Sequence, residues 1–227
     1  MPYRRTVFSN GEIYHIVNRG VADMPIANSP RDYKRFLTLT EFYKHDTSPL
    51  SFSHYSRLNP KERSLFTEKL HSTKTPLVEI IAYCVMANHF HLILKQTETG
   101  GIQKFLANLQ NSYVKFFNLR HNRKGPLFQS AFRAVHIETE EQLLHTARYV
   151  HLNPSTAYIV EPSNLTSYVW SSLPDYFGER SNLIVEISKE MVISLAGGPA
   201  KYKSFVLDQA DYQRELDKIK HLTLENI

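Results

Sequence analysis

The order of elements legible in this chain predicts an α+β fold. A ferredoxin-like βαββαβ core with a central antiparallel sheet carries an additional helix and a helical C-terminal extension. Three observations predict it. Two apolar runs, PLVEIIAYCVMA and HFHLILKQT, are joined by the short connection ANH and read as an antiparallel pair. The stretch GGIQKFLANLQNSYVKFFNLRHN places Ile102, Phe105, Leu106, Leu109, Tyr113, Phe116 and Phe117 on one broad helical face. The stretch TEEQLLHTARYVHLNP opens like a capping box, Thr139 followed by Gln142, and meets a proline stop at Pro154.

The remaining elements fall between these. GEIYHIVNRG is the entry strand, with β-branched and aromatic residues between two glycines. SPRDYKRFLTLTEFYKH follows as a helix: Ser29 precedes Pro30, and Tyr33, Phe36, Leu37, Leu39 and Phe42 recur at mostly helical spacing. Residues 46–75, rich in Ser, Thr, Lys and His, read as an insertion with a short helix near NPKERSLFTEKL. KGPLFQ is a turn and AFRAVHIE a short strand. Residues 155–180 read as loop anchored by Trp170, Tyr176 and Phe177, and the chain turns charged and helical from about 181. The expected division is a domain at 1–178, with the insertion at 46–75, and an extension at 179–227.

Length and composition are those of a folded protein: 227 residues, 42% hydrophobic and 22% charged. The single cysteine, Cys84, excludes an internal disulfide and fits a buried place in an apolar strand. The start MPYRRTVFSNGE has no apolar signal-peptide core, and no apolar run approaches the ~20 residues that span a bilayer. A cytoplasmic protein without a membrane partner is expected. Net charge is only +5, but its placement is uneven. Thr99 to Ile137 holds six basic residues, Lys104, Lys115, Arg120, Arg123, Lys124 and Arg133, and no acid. Aromatics interleave with them, as phosphate and base-stacking surfaces require, although rings on a helix also serve as its core face. The loop Arg120–Lys124 is the better candidate for nucleic acid, and Arg4 and Arg5 form a possible second arm or a solvated terminus.

The stretch CVMANHFHLILK raises the chemical question. In a strand, His89 and His91 share one face while Phe90, Leu92 and Leu94 take the other. Two such imidazoles can hold one metal ion; they can equally be packed, hydrogen-bonded sheet residues. In HTARYVHLNP, Tyr149 and Asn153 lie one helical turn apart, with His145 one turn earlier. Beside a cation that neutralises phosphate oxygens, a tyrosine hydroxyl can attack a phosphodiester and retain the strand covalently. Tyr113, in NSYVKFF, is a rival nucleophile whose neighbours look like core.

MANHFHLIL, NRKGPLFQSAFRAV and ARYVHLNP, in that order, resemble the HUH single-tyrosine transposases, and among them the REP-associated tyrosine transposases of bacteria. YHIVNRG and YVWSSLPDYFG are similar to that family as well, so the resemblance covers about residues 3–178. It implies a ferredoxin-like domain that cleaves single-stranded DNA beside a hairpin and leaves a 5′-phosphotyrosine and a free 3′-hydroxyl. Carried over, His89 and His91 are metal ligands, Tyr149 is the nucleophile and Asn153 the third, amide ligand. The implied metal is Mg²⁺ or Mn²⁺; zinc suits the ligand type, but neither a metalloprotease motif nor a cysteine cluster is present. The implied partner is single-stranded DNA with REP-like hairpins, met in a bacterial, nucleoid-associated setting by a monomer or homodimer. Ala87 stands where the family more often has proline, and the insertion is longer than in compact members. Two other activities fit the same residues: a hairpin-binding module that does not cleave, and a phosphodiesterase that uses water in place of tyrosine.

Overall fold

The computed structural model describes residues 6–73, 75–129, 131–179 and 184–208. Four strands, β1 (Ile13–Arg19), β2 (Val78–Val85), β3 (His89–Gln96) and β4 (Arg133–Ile137), form one antiparallel sheet in the order β2-β3-β1-β4. Helix α1 (Pro30–Tyr43) follows β1 and α4 (Gly101–Arg120) follows β3, which gives the expected ferredoxin-like core. Helix α5 (Glu140–Thr156) follows β4.

Strand alternation divides the sheet into two faces. Tyr14, Ile16, Phe90, Leu92 and Leu94 point to one side, where Phe36 and Leu37 of α1 and Phe105, Leu109 and Tyr113 of α4 complete a core. Ile81, Ala82, Cys84 and Ile93 point to the other, against Leu143, Ala147 and Val150 of α5. Strand β3 is thus covered on both sides, which explains its near-continuous apolar run. Two glycines permit close approaches at its neighbours. A Cβ at Gly20 would collide with the Met24 carbonyl, and one at Gly101 with the Leu77 carbonyl.

Helices α1 and α4 are tied together by a buried carboxylate. Asp32, fully buried, accepts hydrogen bonds from the Asn28 amide, the Ser29 hydroxyl and His121, and pairs with Arg120 at 3.2 Å. Burial pushes its pKa up, but the hydrogen bonds from Asn28, His121 and Ser29 outweigh it and hold the carboxylate below its usual range.

The insertion holds two helices, α2 (Phe52–Tyr55) and α3 (Pro60–Thr73), where one short helix was expected. Their Phe52, Tyr55 and Phe66 rings gather around Phe42 of α1. The loop after α5 closes the outer edge of β2. Val85 donates its N–H to the Trp170 carbonyl, Ser172 to that of Tyr83, and the Tyr168 and Tyr176 hydroxyls donate to Val85 and Ile81. An edge strand left bare would invite pairing with another chain. This loop includes a short helix, α6 (Leu173–Tyr176). Beyond it, α7 (Glu190–Leu195) and α8 (Pro199–Leu207) bring Val192, Tyr202 and Val206 into the core beneath α5. Among the described residues, no helix is long and apolar enough to cross a membrane.

The proline stop fails. Pro154 lies inside α5, which continues to Thr156. A proline here removes only the bond to the Val150 carbonyl, in the last turn of a helix whose residues 150–155 are all buried. Tertiary packing therefore decides the end of the helix.

Replacing Asp32 with alanine leaves Arg120 and His121 facing an empty carboxylate position. We expect Asp32→Ala to lower the unfolding free energy by about 3 kcal/mol, as for other broken buried charged pairs; urea unfolding measures it.

Candidate active site

Residues on the α5 side of the sheet converge where the helix leaves part of β1 and β3 uncovered. His89 and His91 stand there on β3, their ring centroids 5.0 Å apart and nearly perpendicular. The register sets Val17 opposite His91 and Arg19 opposite His89. His15, two residues before Val17, shares this face, and its ring stacks on His91 at 5.2 Å. Tyr149 of α5 closes the group, with its ring 5.5 Å from His91 and 6.0 Å from His15, edge-on to both. It is 42% exposed, so its ring is reachable from solvent.

Hydrogen bonds orient the donors. His89 Nδ1 lies 2.7 Å from Asn88 Oδ1. An amide oxygen only accepts, so that nitrogen carries the hydrogen and Nε2 keeps its lone pair. Asn153 Nδ2 donates to the Tyr149 carbonyl at 2.9 Å, one helical turn back. Its Oδ1 is the atom left for other partners, and the Asn153 side chain lies beside both His89 and His91. His15 Nε2 and His91 Nδ1 are 3.0 Å apart and share one hydrogen.

The imidazoles are held neutral. Burial brings His15 down to about 4; burial, reinforced by Arg19, brings His89 down to about 4. His91 lies well below its usual value through burial and the neighbouring His15, His89 and Arg19. Neutral imidazole is the form that ligates metals. Among the described residues, no three His, Cys, Asp or Glu side chains form a metal group. Two imidazoles and one amide oxygen would be the donors for a divalent ion here. Such N and O donors fit Mn²⁺ or Mg²⁺.

Other candidates lie elsewhere. His145 does not join the stripe: it packs on Phe205 of α8 and meets Arg148, so the helix turns it toward the tail. Tyr113 is fully buried, donates to the Ile26 carbonyl at 2.5 Å, and has its pKa pushed up by burial, as a core tyrosine does. Cys84 is likewise buried. Arg133 is exposed on the histidine face, opposite Val17. Arg120 is engaged with Asp32, and Arg123 with Asn118 and the Pro126 carbonyl. Lys124 is exposed in the same loop. Lys115 is exposed on α4, across the sheet from the histidines. Arg4 and Arg5 lie outside the described residues. Sequence reasoning missed His15 and Arg19, although YHIVNRG places them on one strand face at even spacing.

A fourth neutral histidine, His151, lies inside α5. Burial brings its pKa down to about 3. An unfolded histidine titrates near 6.5, so as pH falls below that value the unfolded chain gains protons that the folded one refuses. Stability is therefore full above pH 6.5 and declines toward pH 3. We expect His151→Gln to make stability less steep between pH 6 and 4 by about 1.4 kcal/mol per pH unit, read from urea unfolding at each pH. An unchanged slope would show that His151 is not buried neutral.

Comparison with known proteins gives two matches. Residues 56–153 match the family model described as "Transposase IS200 like". A solved structure described as a REP-associated tyrosine transposase bound to a REP hairpin covers 83% of this chain and 96% of its own, at 14% identity and a TM-score of 0.49. No curated protein matches. Over residues 56–153, which include the β2–β3 pair, β4 and most of α5, the chain is similar to the IS200-like transposases, in agreement with the resemblance its motifs carry.

Proposed function

We propose that this protein is a metal-dependent single-strand DNA endonuclease and strand transferase, acting beside DNA hairpins through a covalent 5′-phosphotyrosine. The family match supports a transposase-like role on DNA. The observation that carries the finer reading is the meeting of Tyr149 with His89, His91 and Asn153 on one partly open face. The hairpin as partner comes from the resemblance of the motifs.

His89 Nε2, His91 Nε2 and Asn153 Oδ1 would hold a divalent cation. When bound, Mg²⁺ or Mn²⁺ supplies charge neutralisation at the non-bridging phosphate oxygens and fixes the scissile phosphate. Tyr149 supplies the nucleophile. Its Oη forms a bond to phosphorus and gives up its proton, the P–O3′ bond breaks, and the departing 3′ oxygen takes a proton to become a hydroxyl. A second 3′-hydroxyl reverses the steps, displacing Tyr149 and joining two strands. The phosphodiester is conserved throughout, so no external energy source is needed.

Arg19 and Arg133 border this face and line, with Asp23, Gln129 and Ala131, a cleft of about 300 Å³. Their guanidinium groups suit the backbone phosphates of a strand lying along it. Arg19 pairs with Asp23 at 3.0 Å, and both side chains are largely exposed, so a phosphate can displace the carboxylate at small cost.

Two experiments follow. A labelled strand flanking a hairpin is incubated with the protein and Mn²⁺ and run on a denaturing gel. We expect a covalent adduct with wild type and none with Tyr149→Phe. An equal adduct with the phenylalanine variant contradicts the mechanism, and salt-dependent binding with no adduct under any divalent ion favours a hairpin-binding module. In the second, Arg19→Ala should flatten the log–log dependence of single-strand affinity on salt by about 0.7, the loss of one phosphate contact.

A further inference from the structure

We propose that His15 is a positioning residue for the cation site: it accepts a hydrogen bond from His91 Nδ1 and so holds His91 in the tautomer whose Nε2 is free to ligate. This rests on the reading of His89, His91 and Asn153 as metal donors. His15 itself donates nothing to the cation.

The geometry leaves two arrangements. His15 Nε2 and His91 Nδ1 are 3.0 Å apart, and between two neutral imidazoles one nitrogen must donate and the other accept. If His15 donates, the hydrogen of His91 is forced onto Nε2, and the ring can no longer bind a cation. If His91 donates, its Nε2 carries a lone pair, as His89 Nε2 already does. The second arrangement makes the site self-consistent. Asn88 fixes His89 through Nδ1 on one side, and His15 fixes His91 through Nδ1 on the other. The Asn153 amide is committed through Nδ2 to the Tyr149 carbonyl. Two imidazole lone pairs and one amide oxygen are then left with no hydrogen on them, an arrangement that a cation stabilises. An acceptor behind a ligating histidine is the usual support for such a ring. Here a strand neighbour supplies it, because alternation brings His15 and His91 to one face and the register sets them on adjacent strands.

The test is Mn²⁺ binding by the full-length protein without DNA, followed by paramagnetic resonance of free and bound ion. We expect His15→Phe, which keeps the ring volume and loses the acceptor, to weaken Mn²⁺ about 10- to 100-fold. His15→Gln places an amide oxygen at the same reach and should restore most of the affinity. Pulsed resonance should count two coordinated imidazole nitrogens in wild type and in His15→Gln, and fewer in His15→Phe. A His15→Phe protein that binds Mn²⁺ like wild type, with both nitrogens coordinated, overturns the proposal and leaves the tyrosine chemistry standing. If His15→Phe does not fold, as judged by its melting curve, His15→Leu takes its place under the same criteria. If His89→Ala and His91→Ala bind Mn²⁺ as tightly as wild type, the metal site itself is wrong and this inference falls with it.

Discussion

The alternation of side chains along β3 is the constraint on which the rest of this structure depends. The strand is central, so both its faces are covered, and its residues are assigned to sides by parity. Phe90, Leu92 and Leu94 go to the layer under α1 and α4, and His91 and Ile93 to the layer under α5. A register slip of one residue would put imidazoles into the phenylalanine-rich core and Phe90, Leu92 and Leu94 on the opposite face. The apolar anchors that stabilise the sheet are thus also what aims the histidines.

Burying imidazoles is unfavourable unless they stay neutral and their nitrogens find partners. His89 meets Asn88, and His91 meets His15. The same rule governs Asp32 on the other side of the sheet, where three hydrogen-bond donors and Arg120 offset the loss of water. One buried network keeps its group ionised and the other keeps its groups uncharged. The difference follows from the partners: amide, hydroxyl and cationic donors around Asp32, but uncharged rings and amides around His89 and His91.

Much of the fold was legible because its signals are local. Apolar runs and β-branched composition identified the four described strands, helical spacing identified α1 and α4, and Thr139 does cap α5 by accepting from the Gln142 backbone amide. The ferredoxin-like order followed. The pairing of Tyr149 with Asn153 was also legible, since helical spacing puts them one turn apart. What was hidden depends on tertiary context. Pro154 continues a helix because packing around it outweighs one lost hydrogen bond. His145 turns away because Phe205, far along the chain, offers it a surface. His15 and Arg19 are ordinary strand residues until the β1–β3 register sets them beside His91 and His89. The basic residues near position 120 looked like one patch, but Arg120 is bound to a carboxylate that lies 88 positions earlier in sequence.

His151 has a further consequence. Its Nδ1 lies 2.7 Å from the Tyr202 hydroxyl and its Nε2 lies 2.8 Å from the Ser172 hydroxyl, while Ser172 is itself bonded to the Tyr83 backbone on β2. A single ring thereby rivets the tyrosine-bearing helix to the sheet on one side and to the tail on the other. Displacing α5 would carry this ring away and leave the buried Tyr202 and Ser172 hydroxyls without it.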